Sequence, residues 1–151
     1  MRIFSRRPEA LARIKGNSQA PLLRGIVRFY QLPAGVLVEA EISGLPDNAG
    51  GFYGFHIHTG QSCDGKGFSA AGGHYNPEDQ LHPRHAGDLP PLLTYGGRAY
   101  MTVITDRFSI ADIIGRAVII HFMPDDFRTQ PAGDSGERIG CGVIVRSAGK
   151  M

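Results

Sequence analysis

Two histidines stand two positions apart in the sequence GFHIH at residues 54–58. If this segment is a strand, His56 and His58 project to one face, because side chains alternate along a strand, and Ile57 points into the core. The two imidazoles could then bind one metal ion. Two hydrogen-bonded polar side chains at a strand end would give the same pattern, so this motif alone leaves both interpretations open.

A second group of metal-binding side-chain types follows in the sequence HPRHAGD. His82, His85 and Asp88 are spaced three apart, and two imidazoles with one carboxylate suit zinc. Zinc needs one more ligand to complete a tetrahedron, and His74, which precedes them, could supply it. The alternative is a polar, solvated loop.

The last histidine, His121, lies in the apolar run AVIIHF, where a hydrogen-bonded core residue is the usual interpretation. This interpretation of His121 changes when all six histidines are considered together. His56, His58 and His121 come from expected strands and His74 heads a loop, and four imidazoles suit copper, which favours nitrogen ligands. If His74 also closes the zinc site, its two ring nitrogens bridge the metals, and all six histidines of the chain are used.

The two cysteines, Cys63 and Cys141, are far apart and form no CxxC pair, which excludes a zinc knuckle and a thioredoxin-like site. Two separate buried thiols and one disulfide remain open at this point, since the chain shows no secretion signal.

These side chains must be positioned by short strands. Val36, Val38 and Ala40 alternate with polar residues, and that period of two indicates a strand. Seven or eight strands joined by many turns favour a sandwich or a Greek-key barrel. The expected strands are residues 9–16, 23–31, 36–45, 51–58, 98–105, 115–122 and 138–147.

Two long segments lack strand or helix patterning, from Thr59 to about Pro91 and from Met123 to Glu137. More than about 30 residues without regular structure are unusual in a compact domain, and such loops are normally disordered or functional. A functional loop is favoured, because the first segment holds His74, His82, His85, Asp88 and Cys63.

Composition agrees with one turn-rich domain spanning residues 1–151. The chain has 21 Gly and 10 Pro, which argues against a helical bundle. A chain of this length can bury a core without metals, so bound metals would serve chemistry. The net charge of +2, with no basic stripe, argues against nucleic acid as a partner. No apolar run is long enough to cross a bilayer, so a membrane partner is not expected.

The first residues are basic, but no apolar stretch follows them, so they do not form a secretory signal. The initial Met favours a cytoplasmic location over an exported form whose leader was removed.

At this point the sequence closely resembles the copper/zinc superoxide dismutase family. Five motifs occur in the family's order between about residues 10 and 146, and the loops are short, as in bacterial members. The motifs are GFHIH (54–58), SAAGGHYNP (69–77), HAGDL (85–89), IIGRAVIIH (113–121) and GERIGCGVI (136–144).

The resemblance implies an all-β fold, an eight-stranded antiparallel Greek-key β-barrel with two long functional loops. It implies copper and zinc as cofactors, a disulfide between Cys63 and Cys141, Arg138 as the active-site arginine, and Asp125 as the carboxylate that links ligands of the two metals. The implied copper ligands are His56, His58, His74 and His121, and the implied zinc ligands are His74, His82, His85 and Asp88.

The resemblance also implies an activity, the dismutation of the superoxide anion to oxygen and hydrogen peroxide. Arg138 would attract the anion, and His74 would deliver a proton to the peroxide. The alternative is a superoxide-dismutase-like protein that handles copper or binds a partner without dismutation. A purely structural β-sandwich would leave the histidines unexplained. The family contains monomers and dimers, so a homodimer is left open.

Overall fold

The computed structural model describes residues 6–148, which form nine strands in one antiparallel sheet. The strands are β1 Ala10–Gly16, β2 Arg24–Leu32, β3 Gly35–Ser43, β4 Phe52–Tyr53, β5 Phe55–His58, β6 Leu92–Tyr95, β7 Arg98–Thr105, β8 Ala117–His121 and β9 Arg138–Arg146.

The sheet nearly closes on itself. Its strand order is β4-β6-β7-β3-β2-β1-β9-β8-β5, and the two end strands, β4 and β5, are separated in the chain only by Gly54. Gly54 accepts a hydrogen bond from the N–H of His121 (2.8 Å) and donates one to the carbonyl of Met123 (2.9 Å), which ties this corner to β8. The expected all-β antiparallel barrel is confirmed.

The strand count differs from the expected eight for local reasons. The single strand expected at 51–58 is divided at Gly54, and β6 was not expected, because only Leu92 of its four residues is buried and the pattern is weak. The structure also contains a one-turn helix, α1 Ile110–Ile113, capped by Ser109 and Asp112. No helix within residues 6–148 is long and apolar enough to span a membrane.

The barrel interior holds the apolar face of each strand. On β3 the alternating residues Val36, Val38 and Ala40 are fully buried, as the period of two predicts. Strand β8 is buried on both faces, which explains its continuous apolar run. Its inner face packs in the core, and its outer face lies under the first loop.

The first loop, residues 59–91, is fixed to the outside of the barrel. Its only helical element is a kinked 3₁₀ segment, Lys66–Ala71. A disulfide joins Cys63 to Cys141 of β9, with 2.01 Å between the sulfurs, so the alternative of two free thiols is excluded. A small apolar cluster surrounds this bond and includes Ala71, Ala117 and Ile119. The second loop, residues 123–137, contains no helix or strand, as expected.

Candidate metal centre

The first loop returns to the free edge of β5 and extends the sheet there. Ile57 donates to the carbonyl of Gly87 and accepts from the N–H of Tyr75, both at 2.8 Å. A Cβ at position 87 would lie 2.2 Å from the Ile57 carbonyl oxygen, so this approach requires glycine. The pairing forms two isolated bridges, His56 with Asp88 and His58 with His74.

Four imidazoles form the first cluster, which we call the strand cluster: His56, His58, His74 and His121. Their ligand nitrogens all lie within 4.8 Å of one another. The Nε2 atoms of His58 and His121 are 3.3 Å apart. Carbonyl oxygens accept from the Nδ1–H groups of both rings, Gly72 from His58 (2.8 Å) and Gly136 from His121 (3.3 Å). The Nε2 lone pairs of these rings therefore point into the cluster.

Two ring nitrogens of the strand cluster have no partner. His56 Nδ1 and His74 Nε2 are buried and make no hydrogen bond to the part of the chain that the structure describes. Buried polar atoms are nearly always paired, because an unpaired one loses its hydration without compensation. A metal ion that prefers nitrogen ligands, such as copper, would satisfy both atoms, so this cluster fits copper.

The second cluster, which we call the loop cluster, surrounds the Asp88 carboxylate. The Nδ1 atoms of His74, His82 and His85 lie 2.7, 3.0 and 3.2 Å from its oxygens, and His74 Nδ1 and His85 Nδ1 are 3.2 Å apart. When zinc is bound tetrahedrally with bonds of about 2.0–2.1 Å, its ligand atoms lie about 3.3 Å from one another. His82 Nδ1 is close to the carboxylate but has no hydrogen bond of acceptable geometry. Donor atoms of His74, His82 and Asp88 lie within 4.8 Å of one another, and His85 Nδ1 lies 3.2 Å from the same carboxylate, so these four residues are the candidate zinc ligands.

One carboxylate outside both clusters connects them. Asp125 accepts from His56 Nε2–H through Oδ2 and from His82 Nε2–H through Oδ1, each at 2.8 Å. The Phe127 N–H also donates to Oδ1 (2.8 Å). Gly133, at φ 70°, leaves room for this contact, because a Cβ there would lie 2.0 Å from Asp125 Oδ1. Asp125 thus orients one ring of each cluster.

Burial keeps the strand-cluster rings neutral. It lowers the pKa of His56 to about 4, against the opposing hydrogen bond to Asp125, and that of His121 to about 3. Burial also lowers the pKa of His58. Neutral imidazole is the form that binds metal. Burial alone would raise the pKa of Asp125, but hydrogen bonds from His56 and His82 outweigh it and lower the pKa to about 2.

A cavity of about 380 Å³ opens above the strand cluster and is lined in part by His58, His121 and Arg138. The Arg138 guanidinium donates to the carbonyls of Phe68 (3.1 Å) and Gly72 (2.6 Å) of the first loop. The Gly72 carbonyl therefore holds both Arg138 and His58. Sequence reasoning could not specify these two residues, because a backbone carbonyl leaves no signal in the sequence.

The structure brings all of the residues implied by the resemblance together in one region. The strand cluster, the loop cluster, Asp125, Arg138 and the disulfide lie on β5, β8 and β9 and in the two loops that cover them. Sequence reasoning missed side chains that hold the loop cluster from outside it, Gln130 and Arg107, which bond to its backbone. A lone glutamine and a lone arginine in polar segments carry no distinguishing signal.

Comparisons with known proteins agree with this geometry. The model of the copper/zinc superoxide dismutase family matches residues 23–144. A superoxide dismutase [Cu-Zn] of Legionella pneumophila is 36% identical over 132 residues, which cover 82% of this chain and 79% of that protein. The solved structure of the Cu/Zn superoxide dismutase from Brucella abortus superposes with a TM-score of 0.75 at 28% identity, covering 89% of this chain and 99% of that one.

Copper chaperones are also similar to this chain. The copper chaperone for superoxide dismutase of Sus scrofa is 34% identical over 155 residues, which cover 93% of this chain and 54% of that protein. The matched family model, the relatives and the two histidine clusters lead to one conclusion: the chain belongs to the copper/zinc superoxide dismutase family, whose cofactors are copper and zinc.

Proposed function

We propose that the protein is a superoxide dismutase that converts superoxide to oxygen and hydrogen peroxide. The observation that carries the proposal is that one imidazole, His74, presents Nε2 to the strand cluster and Nδ1 to the loop cluster. The proposed copper ligands are His56, His58, His74 and His121, and the proposed zinc ligands are His74, His82, His85 and Asp88.

Copper, when bound, would supply the one-electron redox change, and zinc, which has no redox chemistry, would fix ligand geometry. The chain itself must manage protons, because peroxide leaves with two of them. His74 is suited to this, since Nδ1 is held 2.7 Å from Asp88 while Nε2 carries no other bond and lies beside the cavity. We assign to His74 Nε2, when it is not bound to copper, one of the two protons that the product takes up; the second would come from solvent through the cavity.

Arg138 supplies the positive charge that attracts the substrate anion. Its guanidinium is permanently charged and offers five N–H donors. Two loop carbonyls fix its orientation at the cavity wall and leave further donors for an anion. The side chain is only partly buried, so its field reaches solvent and can steer an approaching anion.

The proposal is tested by loading the protein with copper and zinc and measuring metal content and dismutation together. Arg138→Glu should slow dismutation roughly tenfold or more at low ionic strength and weaken azide binding, while both metals remain bound. Arg98→Glu on β7 makes the same charge change on an exposed arginine outside the cavity and should have little effect. A fully metal-loaded wild type without dismutase activity would refute the proposal.

The similarity to copper chaperones supports one other candidate, a metal-handling protein without dismutation. The chain spans about half of that pig chaperone. The same assay separates the candidates, because a copper carrier would release copper to an apo-dismutase and turn over no superoxide itself. Two complete ligand clusters beside an open cavity with Arg138 support catalysis over transport.

A cytoplasmic location stays a prediction from the sequence, and association into a homodimer stays open. Cell fractionation of the native host tests the first, and light scattering of the metal-loaded protein tests the second.

A further inference from the structure

The turn formed by residues 82–85, which we call the HPRH turn, carries two proposed zinc ligands but belongs to no strand or helix. Such a turn must find partners for its backbone groups outside regular structure. Arg84 N–H donates to the Leu81 carbonyl (2.7 Å), and His85 N–H donates to the Asp88 carboxylate (3.0 Å). The His85 carbonyl accepts from the Asp88 N–H (3.1 Å), but the backbone groups of His82 and the carbonyl of Pro83 need partners from outside the turn.

Gln130 of the second loop takes both backbone groups of His82. Its Oε1 accepts from the His82 N–H, and its Nε2–H donates to the His82 carbonyl, each at 2.8 Å. This is the double pairing that a neighbouring strand would make, supplied here by one side-chain amide. Since Asp125 holds the imidazole of the same residue, the second loop fixes both the backbone and the ring of His82.

Arg107 holds the other side of the turn. It lies two residues beyond the end of β7, and its guanidinium donates to the carbonyls of Pro83 (2.8 Å) and His85 (3.1 Å). Gln130 and Arg107 therefore approach the HPRH turn from separate segments of the chain, and neither belongs to the proposed ligand set.

The loop cluster needs such support. His74 Nδ1 and His85 Nδ1 are 3.2 Å apart, and His82 Nδ1 is buried without a hydrogen bond. A buried polar atom without a partner is costly, so without a metal the HPRH turn would gain by moving outward, where water can reach His82 Nδ1. The four hydrogen bonds from Gln130 and Arg107 oppose that movement.

We propose that Gln130 and Arg107 are positioning residues that hold the HPRH turn at zinc-binding spacing. The inference rests on the proposed zinc site and adds to it the two side chains that preorganise it. Both side chains are exposed, so they add little to the core, and their main effect falls on the turn. Preorganisation of this kind raises metal affinity by reducing the rearrangement that binding requires.

The test uses Gln130→Leu and Arg107→Ala, each of which removes two of the hydrogen bonds. Zinc affinity is measured by competition with a chromophoric chelator, and the geometry is followed by the absorption spectrum of cobalt placed in the zinc site. Each variant should bind zinc roughly tenfold more weakly, since one hydrogen bond is worth about a factor of 2–13, and should alter the cobalt spectrum.

Matched controls separate positioning from general stability. Gln31 also links separate segments, accepting from the Ile110 N–H and donating to the Gly35 carbonyl, but it lies outside the metal centre. Gln31→Leu should lower the melting temperature without changing zinc affinity or the cobalt spectrum. Arg98→Ala is the corresponding control for Arg107.

Conservative variants sharpen the test. Gln130→Glu keeps the acceptor for the His82 N–H but loses the donor, and Arg107→Lys keeps the charge but loses the planar fork, so each should restore only part of the affinity. Because both residues hold one turn, the double variant should lose less zinc affinity than the product of the two single losses.

Zinc affinities and cobalt spectra equal to those of the controls would overturn the inference and leave the proposed metal centre intact. A wild type that binds no zinc would overturn the metal centre itself, and this inference with it.

Discussion

The strand cluster and the loop cluster share His74 but are built differently. In the strand cluster, His56 and His58 lie on β5 and His121 lies at the end of β8, and these strands pair directly. In the loop cluster, every ligand belongs to the first loop; His74 and Asp88 form isolated bridges to β5, and His82 and His85 lie on a turn held by side chains. Strand pairing sets the positions of His56, His58 and His121 on the outer face of the barrel, whereas the positions of the zinc ligands depend on each contact that closes the loop.

This difference predicts that each cluster can lose its metal affinity without the other. A local change in the loop should release zinc and leave the copper ligands in place, because the strand ligands share the stability of the barrel core. Only a change in a shared element should disturb both clusters.

The largest effect is expected from the shared residue. His74→Ala removes one ligand from each cluster, so affinity for both metals should fall by more than roughly a hundredfold, beyond the effect of losing an outer partner. His85→Ala should lower zinc affinity alone, and His121→Ala copper affinity alone. Metal analysis after dialysis against chelators checks all three variants. If His74→Ala loses only one metal, His74 does not bridge the clusters.

Acid should destabilise the metal-free protein mainly through the strand cluster. His56 has a pKa of about 4 when folded and 6.5 when unfolded, so between these values the unfolded chain binds a proton that the folded chain does not. The free energy of unfolding should therefore decrease as the pH falls below 6.5, by about 1.4 kcal/mol per pH unit for each such histidine. His121, with a pKa of about 3, acts in the same direction to lower pH.

Urea unfolding of metal-free protein at several pH values measures this slope. Above pH 6.5 these rings are neutral in both states, and their contribution to the slope vanishes, which provides an internal control. His121→Gln should flatten the curve. A stability that does not change between pH 6.5 and 4 would show that the strand-cluster rings are not held neutral by burial.

The disulfide tests how far the loop cluster depends on tethering. It joins the first loop to β9 across a separation of 78 residues. Replacing Cys63 and Cys141 by Ala should lower the free energy of unfolding by about 4 kcal/mol in the chain-entropy model. Hydrogen exchange should show the first loop opening, and zinc affinity should fall more than copper affinity. Reduced wild type should match the variant; equal losses for both metals would contradict the comparison.

The sequence predicted the strand cluster more completely than its surroundings. The period of two places His56 and His58 on one face, and Val36, Val38 and Ala40 of β3 are buried as predicted, although Glu39 between them is buried too. It did not predict β6, whose residues are mostly exposed, or the division of the strand at Gly54. Both depend on how the sheet curls and closes, which local patterning does not encode.

The contacts that close the loops were harder to predict. The resemblance named the ligands and Asp125. It did not name the contacts that involve backbone groups: Arg138 with the carbonyls of Phe68 and Gly72, and the Gln130 side chain with the carbonyl of His82. Any residue type can supply a backbone carbonyl, so such a contact depends on the path of the chain and cannot be predicted from the residue types of one sequence. The loop cluster was therefore predicted as a ligand set, and the structure adds how it is held.

The smallest expected effect concerns Asp125, the link between the clusters. Its carboxylate accepts one bond from His56 and one from His82, both at 2.8 Å. Removing an outer partner commonly lowers metal affinity by about 10–100-fold. The loss in Asp125→Ala should fall mainly on zinc, because His56 is also held by the pairing of β5 with β8, whereas His82 is held only by the loops.

Asp126→Ala is the matched control for Asp125→Ala. Asp126 is the adjacent carboxylate, but it is exposed and bonds only to groups of its own loop, the N–H of Arg128 and the N–H and hydroxyl of Thr129. Its removal should leave zinc affinity nearly unchanged. Calorimetric titration of zinc into both variants, with copper content measured in parallel, separates the possibilities. Equal zinc affinities in the two variants would show that Asp125 does not orient His82. A larger loss of copper than of zinc would show that strand pairing alone does not hold His56, and it would reverse the proposed difference between the two clusters.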